Sequence, residues 1–496
     1  MPSSNSYDTD TRVPTFAAAD FVATVTAALF AFGLSDKLTQ SDGDLFAHIA
    51  LGRWILIHRA FPHHSILGFA APGLPAVFPA WLSAAVFAGV EQLSGLAGIA
   101  ALTAIVAGTT QWIMAAWLER RGLSARATVI TSLLGLLLGS AHWLARPHLF
   151  SMAFAIVLLV LLESESWWGI PAVVALFATW ANLHGAWLFG WILVATYVVG
   201  DVIDSRRSAW RTASVWRLKR DAGVLAGASL ATLATPYGIS LHRAILASLF
   251  ESGTARVIDE YQPPGFHQPI DIAFYVIAAL SLLCILRSWR RMSFRWVLTI
   301  GLTIAFALRA GRNIALFGLT GWPLVALTFA REFVPGSRTG EAQRENSAAF
   351  FRIPWFVPFA AAILAIGFAH GRLGRAQLIN DSVDPGRFPV AAVESLKAFP
   401  TPSRTLTTWT WSGYVPFAWS GETVFFDPLV FPPAVLNAFG RMILARPGWR
   451  DDMNAAGINA VMIPVGSALG DSLAKDTNWV ASYRDERTLI FRKLKS

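Results

Sequence analysis

The sequence predicts an α-helical integral membrane protein with a soluble α/β domain at its C-terminal end. Three observations predict it: repeated apolar runs of spanning length, few charged residues, and a composition that turns soluble after residue 371. Of the 496 residues, 54% are hydrophobic and 14% charged, against about 25% charged in a soluble domain. There are 21 Trp and 34 Phe. The formal charge of +9 would suit nucleic acid, but the basic residues sit in short loops between apolar runs, a membrane pattern, so no nucleic-acid partner is expected. The single cysteine, Cys284, lies in an apolar run and rules out disulfides and a cysteine-based metal site.

The N-terminal stretch 1–15 is polar and is expected to be disordered and cytoplasmic. The first apolar run ends in Ser35-Asp36-Lys37 without a small-residue cleavage site, so it reads as a retained helix. Runs of spanning length fall near 16–35, 95–118, 127–144, 148–163, 169–184, 186–203, 221–237, 270–288, 293–309, 314–331 and 353–371, about 11 transmembrane helices within a domain at 16–371. With a cytoplasmic N-terminus, the inner loops 119–126, 201–221, 287–295 and 331–346 carry sixteen Arg and Lys, and the outer loops far fewer. Residues 372–496 then form an extracytoplasmic domain.

This orientation gathers unusual polar residues at the outer helix ends: Asp42, Asp44 and His48; His142, Arg146 and His148; Asn182 and His184; Tyr237; Asp259 and Glu260; Arg309, Arg312 and Asn313. Ionisable groups near membrane depth are costly and usually face a cavity or a partner, so the set points to one polar site. The plainer reading is that helix ends are polar anyway.

The loop from 41 to 94 holds two expected surface helices, 44–58 and 78–92, too short and too polar to span. In the first, Leu45, Ile49 and Leu56 share a stripe, while Asp44 and His48 lie four residues apart on another that Gly52 continues. Gly52 would let a substrate approach the backbone.

One span followed by an outer loop of two surface helices with an early acidic residue resembles the opening module of the GT-C glycosyltransferases. The stretch Asp42-Gly43-Asp44-Leu45-Phe46-Ala47-His48, with Gly52 and Ile55-Leu56, resembles a group of uncharacterised bacterial GT-C-like membrane proteins. Further matches are Arg146-Pro147-His148, Trp180-Ala181-Asn182-Leu183-His184-Gly185, Thr235-Pro236-Tyr237-Gly238, Glu260-Tyr261-Gln262-Pro263, Arg312-Asn313 with Phe317, Gly413-Tyr414 and Phe425-Phe426-Asp427. The group usually has Trp-Trp where this chain has Phe46-Ala47, and acidic residues near Ser65 and at Ala80.

The resemblance implies a GT-C-like fold in the bacterial inner membrane. It also implies transfer of a sugar from a polyprenyl-phosphate donor to an envelope lipid, glycan or protein acceptor on the outer face. Such a reaction needs a carboxylate for the acceptor proton, cations for the departing phosphate and a lipid-facing groove. Asp42 or Asp44 would be the base. Arg146, Arg309 and Arg312 would clamp phosphate, because guanidinium matches its geometry and stays charged. His48, His148, Asn182, His184, Tyr237, Glu260 and Asn313 complete the expected substrate-binding set.

Each assignment has a structural alternative. Asp42 and Asp44 could cap the surface helix. His48 could be a plain interfacial histidine. Arg146 could be an interfacial anchor, and Asn182 with His184 could seal a helix–helix join. No cofactor is implied outright, but a divalent metal is possible on Asp44, His48 and His184, since one Asp-x3-His spacing falls short of a full ligand set. After residue 371, helices near 389–399, 414–419, 433–444 and 467–474 alternate with strands near 404–408, 423–426, 460–463, 480–483 and 488–491. Trp409, Trp411, Tyr414 and Trp419 would suit sugar stacking, although burial is the commoner use. The competing function is a non-catalytic GT-C-like scaffold or lipid-handling subunit of an envelope-polysaccharide system. A transporter ranks last, because neither internal repeats nor mid-membrane polar residues stand out.

Overall fold

The computed structural model describes residues 17–164, 166–207, 211–250, 259–333, 354–398 and 403–494. The N-terminal segment 1–15, with Arg338 and Arg344, lies outside the described residues. Every apolar run named above is helical. The helices are α1 (Ala18–Gly33), α2 (Ser35–Gln40), α3 (Asp44–His58), α4 (Trp81–Arg120), α5 (Ala125–Leu138), α6 (His148–Leu162), α7 (Gly169–Leu183), α8 (Trp187–Ser205), α9 (Arg211–Ala231), α10 (Ile239–Phe250), α11 (Pro269–Ser288), α12 (Phe294–Arg309), α13 (Gly311–Phe333) and α14 (Phe356–Phe368). Among the described residues, α4, α8, α11 and α13 are long and apolar enough to cross a bilayer. Helix α10 was not expected, because His242 and Arg243 interrupt its apolar pattern.

The expected second surface helix and the next span are two limbs of α4. They meet at Gly95, whose φ of 62° and ψ of −160° break the helix without a loop. The second limb is capped from afar: Asp381 accepts the Ala97 N–H at 3.0 Å. A side chain on Gly95 would start 2.0 Å from that carboxylate.

Helix α3 corrects the sequence reading in two ways. It is not a surface helix with one wet face, since Leu45, Phe46, Ala47, Ile49, Ala50, Leu51, Gly52 and Ile55 are all buried. Leu56, assigned to the apolar stripe, is exposed. Gly52 admits another helix rather than a substrate, because a Cβ there would lie 1.9 Å from the Ala84 carbonyl oxygen on α4. Arg53 fastens the same contact. It donates to both Glu91 carboxylate oxygens at 3.2 and 2.7 Å and to the Phe417 carbonyl at 2.8 Å.

Beyond α14 lie a short hairpin, β1 (Arg372–Leu373) and β2 (Ala376–Gln377), and then a four-stranded sheet. The sheet strands are β3 (Thr405–Thr407), β4 (Ala460–Pro464), β5 (Trp479–Arg484) and β6 (Thr488–Lys493), in the order β3-β4-β6-β5. Strand β3 runs parallel to β4, and the other pairs are antiparallel. Helices α15 (Val390–Lys397), α16 (Trp409–Ala418), α17 (Pro433–Ile443), α18 (Trp449–Ala455) and α19 (Ala468–Leu473) surround it. The expected strand at 423–426 forms only isolated bridges, through Val424 to Thr405 and to Gly68. Those bridges matter because Gly68 belongs to the loop after α3. Phe69 and Ala70 donate to the Val424 and Phe425 carbonyls at 3.0 and 3.1 Å, so that loop is stitched to the sheet edge.

One apolar cluster joins the two regions. Leu45, Phe46 and Ile49 of α3 and Phe87 of α4 pack with Phe388, Val393, Tyr414, Val415, Met462 and Ile490. Tyr414 and Trp411 are buried in this cluster, which removes them as sugar-stacking surfaces. The backbones of α3 and α16 nearly touch: a Cβ on Gly43 would lie 1.9 Å from the Thr410 oxygen, and one on Gly413 would lie 2.2 Å from the Gly43 oxygen. Gly43→Ala is therefore expected to cost about 1–3 kcal/mol through overpacking. Gly89→Ala on α4, which meets nothing within 4 Å, should be neutral or slightly stabilising. Thermal unfolding of the two variants in the same detergent checks this contrast.

Candidate functional site

A cavity of about 630 Å³ opens where the C-terminal end of α7 and the N-terminal ends of α3, α6 and α13 meet the 428–431 segment and α16. Its polar wall is Asp44, His48, His142, Arg146, His148, Ser151, His184, Glu260, Arg312 and Asn313. Leu51, Phe78, Met152 and Leu316 add apolar surface, and Trp409, Leu429 and Phe431 close the side facing the sheet.

Arg146 is the hub. Its guanidinium pairs with Asp42, with Asp44 at 3.2 Å and with Glu260 at 2.9 Å. The three carboxylates come from two distant segments, and the arginine from the loop before α6. Its terminal nitrogens are taken up by carboxylates, while Nε has no hydrogen-bond partner among the described residues and Arg146 still borders the cavity.

The two aspartates divide. Asp42 accepts the Asp44 backbone N–H at 2.9 Å, as a carboxylate at a helix start should, and turns its other oxygen to Arg146. Asp42 does not line the cavity, whereas Asp44 does. Burial raises the Asp44 pKa to about 6 against the lowering influence of Arg146, and Asp42 and Glu260 push it up further. Trp409 borders the cavity together with Asp44 and acts to lower its pKa. Trp409 itself packs on Phe426 and Phe431, with ring centroids 4.6 and 5.2 Å away.

The histidines are held neutral. Burial, then Arg146 and His184, drive the His48 pKa down to about 3. Burial, then Arg312, does the same at His184. His142 is also lowered, chiefly by burial, with Glu260 opposing. His148 donates Nε2–H to the His142 carbonyl at 2.6 Å.

Arg312 lies over the Tyr261 ring, 3.9 Å from its centroid. No carboxylate pairs with it among the described residues. Asn313 spends its amide on the Phe306 carbonyl at 2.9 Å, yet still borders the cavity.

Three expected binding residues do not line the cavity. Asn182 accepts from Trp81 Nε1 at 2.8 Å and donates to the Ala178 and Ala234 carbonyls, so it seals a helix join. Tyr237 is buried and donates to the Pro62 carbonyl at 3.0 Å. Arg309 ends α12, exposed and outside the cavity wall. Of the two positions where the sequence resemblance leads one to expect acids, Ala80 borders the cavity, and Ser65 donates at 2.6 Å to buried Asp427. Ser151 is a cavity residue that the sequence reading missed. Its only signal was a position three residues after His148, on the same helix face.

The donors do not fit a metal on Asp44, His48 and His184. No three His, Cys, Asp or Glu side chains converge as ligands among the described residues. The His184 Nδ1 is engaged by Ser151 at 2.8 Å.

No protein-family model and no curated protein matches the sequence. Solved structures do. The archaeal oligosaccharyltransferase AglB from Archaeoglobus fulgidus, in complex with an inhibitory peptide and a dolichol-phosphate, superposes with a TM-score of 0.55 at 12% identity. The match covers 90% of this chain and 69% of that one. ArnT from Cupriavidus metallidurans, bound to undecaprenyl phosphate, superposes with a TM-score of 0.53 at 14% identity, over 97% of this chain and 99% of that one. The fold is that of the GT-C glycosyltransferases. The likeness spans both the helical region and the sheet region, so the architecture is shared as a whole.

Arg146→Gln removes the main influence that keeps Asp44 ionised and leaves three carboxylates facing one another. The expected result is a further rise of the Asp44 pKa from about 6. It can be read as the carboxyl infrared band lost in Asp44→Asn, titrated in both backgrounds.

Proposed function

We propose that the protein is a GT-C-type glycosyltransferase that moves a sugar from a polyprenyl-phosphate donor to an envelope lipid, glycan or protein acceptor. The observation that carries this reading is the pairing, within one cavity of a GT-C fold, of a half-buried carboxylate of raised pKa with an arginine that no carboxylate pairs with among the described residues. Asp44 is the base. It takes the proton of the acceptor nucleophile as that atom attacks the anomeric carbon. The glycosidic bond forms, the bond from the anomeric carbon to the phosphate oxygen breaks, and the electron pair leaves with the phosphate. Arg312 holds that phosphate. Arg146 positions Asp44 rather than meeting the substrate, and the apolar wall around Leu51, Met152 and Leu316 receives the lipid end.

The same reading sets this cavity at the outer face of a bacterial inner membrane. It takes the apolar helices as about eleven spans, the N-terminus as cytoplasmic, and residues 372–496 as an extracytoplasmic domain that completes the cavity. The arginine bias of the loops supports this orientation.

One observation favours the alternative, a non-catalytic scaffold or lipid-handling subunit: Ala80 borders the cavity where the sequence resemblance leads one to expect an acid. Asp44→Asn separates the two. A base lost from the transition state costs about 10²–10⁴-fold in rate, so a strain carrying only this variant should show the envelope glycans of a deletion strain by mass spectrometry. Full restoration of the wild-type pattern would sink the transferase reading.

The pH dependence follows in sign. A base must be ionised, and Asp44 titrates near about 6. Transfer by the purified protein should be flat above that pH and fall about tenfold per unit below it. Asp42→Asn should keep the limb but move it to lower pH, because Asp42 does not line the cavity and its charge helps to raise the Asp44 pKa.

A further inference from the structure

Helix α7 ends in Trp180 and His184, one turn apart, and α6 begins with Ser151 facing them. Trp180 is fully buried and Ser151 nearly so. The Trp180 indole N–H can only donate, and it reaches Ser151 Oγ at 2.7 Å. Ser151 Oγ lies 2.8 Å from His184 Nδ1. A second donor, the Ala186 backbone N–H, approaches the same nitrogen at 3.4 Å.

These contacts allow one assignment of protons. With its oxygen accepting from the indole, Ser151 sends its hydroxyl hydrogen to Nδ1. A proton on Nδ1 would instead meet the Ala186 N–H head-on and strand the serine hydrogen. Nδ1 is therefore an acceptor, and in the neutral ring the proton sits on Nε2.

His184 borders the cavity together with Arg312, close enough for the guanidinium charge to act on the imidazole. A positive charge with no carboxylate partner among the described residues, beside a fixed N–H donor, is a site for an anion.

We propose that Trp180 and Ser151 are positioning residues that lock His184 as an Nε2–H donor to the phosphate of the lipid-linked donor, beside Arg312. This inference rests on the reading of the cavity as a polyprenyl-phosphate site. The relay supplies no proton to the reaction. It fixes which edge of the ring meets the phosphate, so the hydrogen bond costs no reorganisation when the leaving group gathers charge.

The test uses the full-length protein in lipid nanodiscs with ¹⁵N-labelled histidine. His184 is assigned by the signals lost in His184→Asn, and undecaprenyl phosphate is the binding probe, followed by native mass spectrometry. Wild type should show His184 with Nε2 protonated and Nδ1 bare, and should bind the probe. Ser151→Ala should mix the two tautomers and weaken binding roughly tenfold, the scale of one hydrogen bond to a charged group. Ser151→Thr, which keeps the hydroxyl, should restore both. A His184 protonated on Nδ1 in wild type overturns the relay. So does a Ser151→Ala protein that keeps both the tautomer and the affinity. If wild type binds no undecaprenyl phosphate, the proposed function fails instead. If Ser151→Ala does not fold, the wild-type tautomer and the affinity of Trp180→Phe decide the matter.

Discussion

The Arg146 guanidinium sits among three carboxylates, and the geometry of the cavity hangs on that arrangement. Asp42 and Asp44 open α3, Glu260 belongs to the segment before α11, and Arg146 precedes α6. No hydrophobic contact could hold these polar chain ends together, because each carries charge that apolar packing would strand. The arginine holds all three at once. It also decides how far Asp44 can stay ionised while buried. Three acids against one base leave the cluster acid-rich, and the excess negative charge of Asp42 and Glu260 helps to raise the Asp44 pKa.

The opposite end of α6 carries the inverse arrangement. Buried Glu163 pairs with Arg295 at 3.1 Å and Arg121 at 3.0 Å, and accepts hydrogen bonds from the Tyr197 hydroxyl and the Trp296 indole. There, two guanidiniums surround one carboxylate, and two further donors complete its shell. Helix α6 is thus pinned at both ends by charge: α4, α8 and α12 meet at one end, and α3 and the 259–261 segment at the other. Its position sets that of His148 and Ser151 in the cavity wall. Apolar packing alone leaves a helix free to slide along its axis. Ion pairs at both ends remove that freedom, which a site built on hydrogen-bond geometry needs.

How much of this was legible in the sequence depended on the kind of signal. Asp44, His48, Arg146, His148, His184, Glu260, Arg312 and Asn313 were recognisable because polar residues at apolar helix ends are conspicuous, and all eight border the cavity. The same signal misplaced Asn182, Tyr237 and Arg309. Polarity at a helix end marks a need for a partner but does not say whether that partner is a ligand or a neighbouring carbonyl. The neighbour is the partner at Asn182 and Tyr237. Gly52 and Leu56 were misread because amphipathic periodicity assumes one wet face, and α3 is covered on nearly every side by α4 and α16. Ser151 was invisible: a serine inside an apolar helix bonds as readily to the preceding turn. Only the approach of Trp180 and His184 gives it another role.

The sheet region is part of the site rather than an attachment to it. Trp409, Leu429 and Phe431 form wall that the membrane helices do not supply, and Trp409 borders the cavity together with Asp44. The join is made of features that resist separation. Glycines bring the α3 and α16 backbones together, an apolar cluster runs across them, and the loop after α3 bonds to the sheet edge through Phe69 and Ala70. A flexible acceptor-binding module would be expected to join through a polar, loosely packed interface, and this one is buried and tightly packed. Under the proposed function, a lipid-linked ligand would enter along the apolar wall of the cavity and not by swinging the sheet away, and its phosphate would lie beside Arg312 and Asp44 with the lipid against Leu51, Met152 and Leu316.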